Sequence, residues 1–187
     1  ISLLGDGWFK SKFSGVDIVA GGPPCQGFSV AGPSQYGKSD ERNKLVLELV
    51  RVANILRPQY VILENVKGII SGRLNGQRAA VQVFMDALSS IGYECSVNRL
   101  QAANYGVPQN RERVFVIAAR AGLPLPINIP SISGGGLNKW RSAWEALSDL
   151  PQLLPGEGTD EPTAYGTAPK CEYQQLMRAG SSGVCNH

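Results

Sequence analysis

Apolar residues fall along the first two thirds of the chain in short continuous runs that alternate with helix-spaced stripes. Val16-Asp17-Ile18-Val19-Ala20 is apolar apart from Asp17, the pattern of a strand covered on both faces. Leu45, Leu49, Val52 and Leu56 recur at helical spacing, joined by Val46, Val50 and Ala53. They predict a helix with one apolar stripe, ended by Pro58. Tyr60-Val61-Ile62-Leu63 predicts a second buried strand, with Glu64-Asn65-Val66 following its carboxyl end. Ala80, Val81, Phe84, Met85, Leu88 and Ile91 predict a second helix over 77–91, and Gly92 suits its C-terminal cap. Residues 93–102 and 113–119 read as further strands, the last carrying Val114-Phe115-Val116-Ile117-Ala118.

Strand, helix, strand, helix, strand is the order of a parallel, doubly wound sheet. The last two strands are joined by a turn-rich loop, 104–110, too short for a crossover helix. They predict an antiparallel hairpin at the sheet edge. The chain runs from Ile1 almost at once into its first strand. After Gly122 the pattern changes: Pro124, Pro126, Pro130 and Gly134-Gly135-Gly136 mark a linker. Residues 140–150 predict a short helix, and 151–170 are loop-like. There is no internal repeat. Two segments are expected, one over 1–122 and a linker and connecting segment over 123–187.

Composition narrows the function classes. A chain of 187 residues with 43% hydrophobic and 18% charged residues has the make-up of a globular protein, not a disordered one. A net charge of +3 is too mild to argue for nucleic acid by itself. Cys25, Cys95, Cys171 and Cys185 are widely spaced and include no CxxC, so a reducing compartment inside the cell is expected rather than a disulfide framework. Cys171, Cys185 and His187 fit no common zinc spacing, and no metal is expected. The only His is the last residue, which removes Ser-His and Cys-His triads. No apolar run reaches the length of a membrane span, and no signal peptide is visible.

Candidate chemistry gathers at strand ends. Gly21-Gly22-Pro23-Pro24-Cys25-Gln26-Gly27-Phe28-Ser29 follows the first strand, at the end where open α/β sheets bind ligands. Two prolines stiffen the loop, and the glycines admit close approach to its backbone. Cys25 reads either as a small buried hydrophobe or as a placed nucleophile. Parallel strands put Glu64 on the same sheet edge, and the hairpin could bring in Arg113 from the cluster Gln109-Asn110-Arg111-Glu112-Arg113. Singly, each has a bland reading. Glu64 could cap the following helix, and Arg111 or Arg113 could pair with Glu112 or Glu64. A thiol, a carboxyl and a guanidinium on one edge are jointly better explained by chemistry.

Gly-Pro-Pro-Cys-Gln-Gly-Phe-Ser at 22–29, Glu-Asn-Val at 64–66 and Gln-x-Arg-x-Arg at 109–113 resemble, in order and spacing, three catalytic motifs of the cytosine-C5 DNA methyltransferases. The likeness is close over 16–120. It includes Asp40-Glu41-Arg42-Asn43-Lys44-Leu45 and extends through 144–151 and 173–178. It implies an α/β, Rossmann-like methyltransferase core that uses S-adenosylmethionine. The sheet would be mostly parallel with an antiparallel edge hairpin, and incomplete in this chain. It also implies double-stranded DNA as partner and a monomeric catalytic unit, in a bacterial cytoplasm or a eukaryotic nucleus.

The resemblance assigns roles residue by residue. Cys25 would add to C6 of a flipped cytosine and make C5 nucleophilic. Glu64, kept protonated by burial, would donate to N3 and accept from the N4 amine. Arg113 would hold O2, as an oxyanion donor does. Pro24, Leu45 and Asn65 are implied at the cofactor, Asn65 also positioning the loop proline. Gln26, Ser29, Arg42, Val66 and Arg111 are implied at the base, the phosphates or the closing loop of 26–40. The family's Phe-x-Gly-x-Gly motif is not in this sequence, and Gly134-Gly135-Gly136 follows a linker rather than a strand. The chain therefore reads as an excerpt, expected to bind cofactor poorly and to be inactive alone. The alternatives are a transfer-RNA cytosine-C5 methyltransferase of the same fold and a non-catalytic regulatory relative.

Overall fold

A computed structural model describes residues 3–24, 45–74, 78–131, 140–181 and 183–186. These form two units, 1–101 with 112–130, and 102–111 with 131–187. The first unit therefore runs eight residues past 122 and leaves out the loop 102–111.

In the first unit the chain forms α1 (Asp6–Phe13), β1 (Ile18–Gly21), α2 (Leu45–Leu56) and β2 (Tyr60–Asn65). There follow α3 (Gly68–Ser71), the short pair β3 (Arg73–Leu74) and β4 (Arg78–Ala79), α4 (Ala80–Ser90), β5 (Tyr93–Gln101) and β6 (Glu112–Arg120). The four-stranded sheet runs β1-β2-β6-β5. β1 and β2 are parallel, while β6 is antiparallel to both β2 and β5. Three of the four strands thus run one way, and the hairpin β5–β6 closes one edge as the short loop requires.

The apolar stripes of α2 and α4 meet one face of the sheet. Val46, Leu49, Ala53, Phe84 and Leu88 pack there against Val61, Leu63, Val114, Val116 and Ala118. Gly92 ends α4 with φ 84°, a left-handed turn that glycine takes without strain. On the other face the segment after β6 returns over the strands. Tyr60 Oη donates to the Pro124 carbonyl (3.1 Å) and Ser96 Oγ to that of Pro126 (2.6 Å).

The second unit holds α5 (Ala143–Leu147), β7 (Thr159–Thr163), α6 (Glu172–Arg178) and β8 (Val184–Asn186), with a 3-10 turn at Ala102–Tyr105. Ser142 and Glu145 form a capping box on α5. The interior around α5 and α6 is polar. Gln174, 1% exposed, donates to the Glu145 carbonyl (2.8 Å) and to Ser148 Oγ (3.1 Å), and accepts from the Lys170 backbone N–H (2.6 Å). Arg178 Nε donates to the buried Asp149 Oδ2 at 2.9 Å.

Several expectations are corrected. The first element is the helix α1, not a strand. Asp6 and the Leu4 carbonyl take Arg51 from α2 (2.7 and 3.2 Å), and Phe9 is buried beneath the Arg51 guanidinium. β1 is an edge strand of the described sheet with Ile18 55% exposed, not a strand covered twice. Glu64 and Asn65 lie inside β2, whose ladder with β6 continues through both. α4 begins at Ala80, because Arg78 and Ala79 pair with Leu74 and Arg73. The stretch 151–170 contains β7, which pairs with β8.

Candidate active site

β1 and β2 lie in register with Gly21 beside Leu63. The loop stem that leaves β1 therefore runs past the last residues of β2. Asn65, 3% exposed, fixes it there: Nδ2 donates to the Pro23 carbonyl at 3.3 Å, and Oδ1 accepts the Val66 N–H at 2.7 Å. This clamp acts two residues before Cys25. Cys25, Gln26, Ser29 and Arg42 themselves lie outside the described residues, as do Asp40 and the 26–40 loop.

Glu64 pairs with Phe115 across the ladder, and Arg113 lies two residues from Phe115, on the same face as Glu64. The Arg113 guanidinium comes to Glu64 Oε1, with Nε at 3.2 Å. Its Nη1 donates to the Glu112 carbonyl at 2.7 Å, which fixes the fork. Glu64 does not cap a helix, since α3 begins after Lys67 without a side-chain cap. The expected burial of Glu64 is not met: its side chain is 39% exposed and paired with Arg113.

Glu112 pairs with Arg99 instead, Nε to Oε1 at 2.8 Å. That brace across the hairpin was not anticipated, although the closeness of 99 to 112 follows from the hairpin register. Arg111 belongs to the second unit with the rest of the loop 102–111. There the loop is closed by the Ala102 N–H on the Arg111 carbonyl (2.9 Å), and Trp140 Nε1 donates to Asn104 Oδ1 (2.9 Å). Of the Gln-x-Arg-x-Arg cluster, Arg113 joins Glu64. Val66 and Leu45 are half-buried, and Pro24 is exposed. Among the described residues there is no group of three or more potential metal ligands and no helix long and apolar enough to cross a membrane.

The Glu64–Arg113 pair stands at the edge of a Rossmann-like α/β sheet where β2 ends and the antiparallel β6 begins. The same fold occurs in the crystal structure of a DNA modification methyltransferase encoded within an E. coli prophage. It is 24% identical, with a TM-score of 0.66 over 93% of this chain and 48% of that one. Spodoptera frugiperda DNMT2 shares it at 22% identity, with a TM-score of 0.54 over 86% and 46%.

The chain belongs to the C-5 cytosine-specific DNA methylase family, whose model matches residues 6–158. It is 38% identical to the type II methyltransferase M.DdeI of Desulfomicrobium norvegicum, over 100% of this chain and 45% of that protein. It is 35% identical to M.AgeI of Thalassovita gelatinovora, over 92% and 43%. Mouse DNA (cytosine-5)-methyltransferase 1 matches at 29% over 87% of this chain and 11% of its own length. The chain spans less than half the length of these relatives.

The family uses S-adenosylmethionine. The Asn65 amide donates to the Pro23 carbonyl and accepts the Val66 N–H, and so shapes the loop stem. Pro24 and the aliphatic Leu45 at the head of α2 remain as surfaces that a cofactor could touch.

Proposed function

We propose that the protein carrying this chain is an enzyme of the DNA (cytosine-5-)-methyltransferase class. It would act on double-stranded DNA; the name of the mouse relative, DNA (cytosine-5)-methyltransferase 1, gives DNA as the substrate of that protein. The observation that carries the reading is the Glu64–Arg113 pair at the mouth of the sheet, beside a loop stem that Asn65 holds two residues short of a cysteine.

The base must leave the stack to be reached. In this reading Glu64 takes the N3 and N4 edge of the flipped cytosine, and Arg113 faces O2. Cys25 adds through sulfur to C6, which makes C5 an enamine carbon and sends charge towards N3 and O2. Arg113 stabilises that charge as it develops, a contribution of on the order of 10²-fold or more for one such donor. S-adenosylmethionine supplies an electrophilic methyl group when bound, with Pro24 and Leu45 offered to it from this chain. Loss of the C5 proton and departure of the Cys25 thiolate restore the aromatic ring. Gln26, Ser29, Arg42, Val66 and Arg111 are proposed contacts to the base or the backbone phosphates.

The test uses the full-length protein, S-adenosylmethionine and a long duplex in which 5-fluorocytosine replaces cytosine. Fluorine at C5 cannot leave as a proton, so the adduct persists. A covalent complex is expected, and it is expected to vanish in Cys25→Ala. An adduct that survives Cys25→Ala, or none from the unmodified protein, refutes the reading.

A further inference from the structure

Gly22 stands where the backbone does not ask for glycine. Its φ lies outside the left-handed region, so an L side chain is conformationally admissible there. What needs the missing side chain is Glu64. A Cβ placed on Gly22 falls 3.2 Å from Glu64 Oε2 and 3.8 Å from the Glu64 carbonyl oxygen. The other carboxyl oxygen, Oε1, already lies 3.2 Å from Arg113 Nε. The carboxyl is therefore seated between the bare Cα of the loop stem and the guanidinium, and an added methyl pushes it out of that seat. Gly21, by contrast, faces the Leu49 side chain, whose Cδ1 would lie 3.3 Å from an added Cβ. That is a packing contact with the core rather than with the site.

We propose that Gly22 is a positioning residue: its missing side chain sets where the Glu64 carboxyl stands. The inference rests on the reading of Glu64 as the group that holds the cytosine edge. The Glu64 carboxyl is the free end of a flexible side chain, so it yields easily and the fold loses little. Removing a glycine even restricts the unfolded chain, which favours folding. Catalysis is less forgiving, because a misplacement of about 1 Å can cost on the order of 10²-fold in rate. The displacement here is a few tenths of an ångström, so a loss of about tenfold is expected.

The experiment measures single-turnover methyl transfer from labelled S-adenosylmethionine to unmethylated bacteriophage DNA, which presents many short sequences. It compares the full-length protein with Gly22→Ala, Glu64→Asp and the double variant. Gly22→Ala is expected to slow transfer about tenfold, without weakening DNA binding or lowering the thermal midpoint. Aspartate is one methylene shorter and withdraws from the added Cβ. In the Glu64→Asp background Gly22→Ala is therefore expected to cost less than about twofold.

Transfer by Gly22→Ala at the unmodified rate overturns the inference. So do penalties that multiply in the double variant, because Gly22 would then act through the loop carrying Cys25. A midpoint lowered by several degrees does the same, because the clash would fall on the fold. No transfer by the unmodified protein overturns the functional reading, and this inference with it.

Discussion

Removing Arg178 should unfold the second unit before the first. Its guanidinium donates from Nε to Asp149 Oδ2 (2.9 Å), donates from Nη1 to the Thr167 carbonyl (2.8 Å), and lies 3.9 Å from the centre of the Tyr165 ring. The Asp149 side chain is 3% exposed and that of Arg178 15%, and Asp149 Oδ1 has no hydrogen-bond partner among the described residues. Arg178→Ala therefore leaves a buried carboxylate with neither oxygen answered by a cation. Breaking such a pair costs about 3–5 kcal/mol, against about 5–15 kcal/mol of net stability in a whole domain.

The second unit has little apolar core to absorb that loss, since α5 contributes no buried residue and α6 only Gln174. The assay is urea unfolding followed by tryptophan fluorescence in a Trp8→Phe background. The remaining tryptophans, Trp140 and Trp144, both lie in the second unit. Replacing both partners, Asp149→Leu with Arg178→Met, should cost less than Arg178→Ala alone, because no charge is stranded. A single-variant loss under about 1 kcal/mol, the worth of an exposed pair, refutes the reasoning. So does a double variant less stable than the single.

Two further outcomes can be checked. Burial pushes the Cys95 thiol up to about 11, and burial also raises Tyr93. The unfolded chain therefore loses these protons first. The Cys95 contribution is complete below about pH 9 and is lost as the pH rises to about 11. Urea midpoints should decline over that window, and less steeply in Cys95→Ala; an unchanged slope in that variant contradicts the assignment. Asn65→Ala removes the amide's bonds to the Pro23 carbonyl and the Val66 N–H. It should cost about 1–3 kcal/mol in stability and slow adduct formation with the 5-fluorocytosine duplex; a variant that matches the parent in both would show that the clamp is idle.

The elements legible in the sequence are those whose apolar period is long and uninterrupted. α2 ends at Leu56, two residues before Pro58, and β2, β5 and β6 fall within two residues of their expected bounds. α1 was not legible, because Asp6–Phe13 carries Gly7 and no regular stripe. Its support comes from Arg51, 45 positions away from Asp6. β7 was not legible either, since Thr159–Thr163 contains Asp160, Glu161 and Pro162, and it becomes a strand through its partner β8. At the site, the meeting of Glu64 and Arg113 follows from strand direction and hairpin geometry, both readable from spacing. The exposure of Glu64 does not, because it depends on what covers the second face of the sheet.

The return of the chain over the sheet after β6 bears on how such proteins exchange parts. Pro124 and Pro126 are tied by their carbonyls to Tyr60 on β2 and Ser96 on β5, so the residues just beyond the last strand are part of the sheet's own structure. A chimaera joined at Gly122 would cut these ties, whereas one joined past Pro130 keeps them. The tied segment thus acts as a fixed border. Replacing the sequence beyond it leaves the ties to β2 and β5 in place.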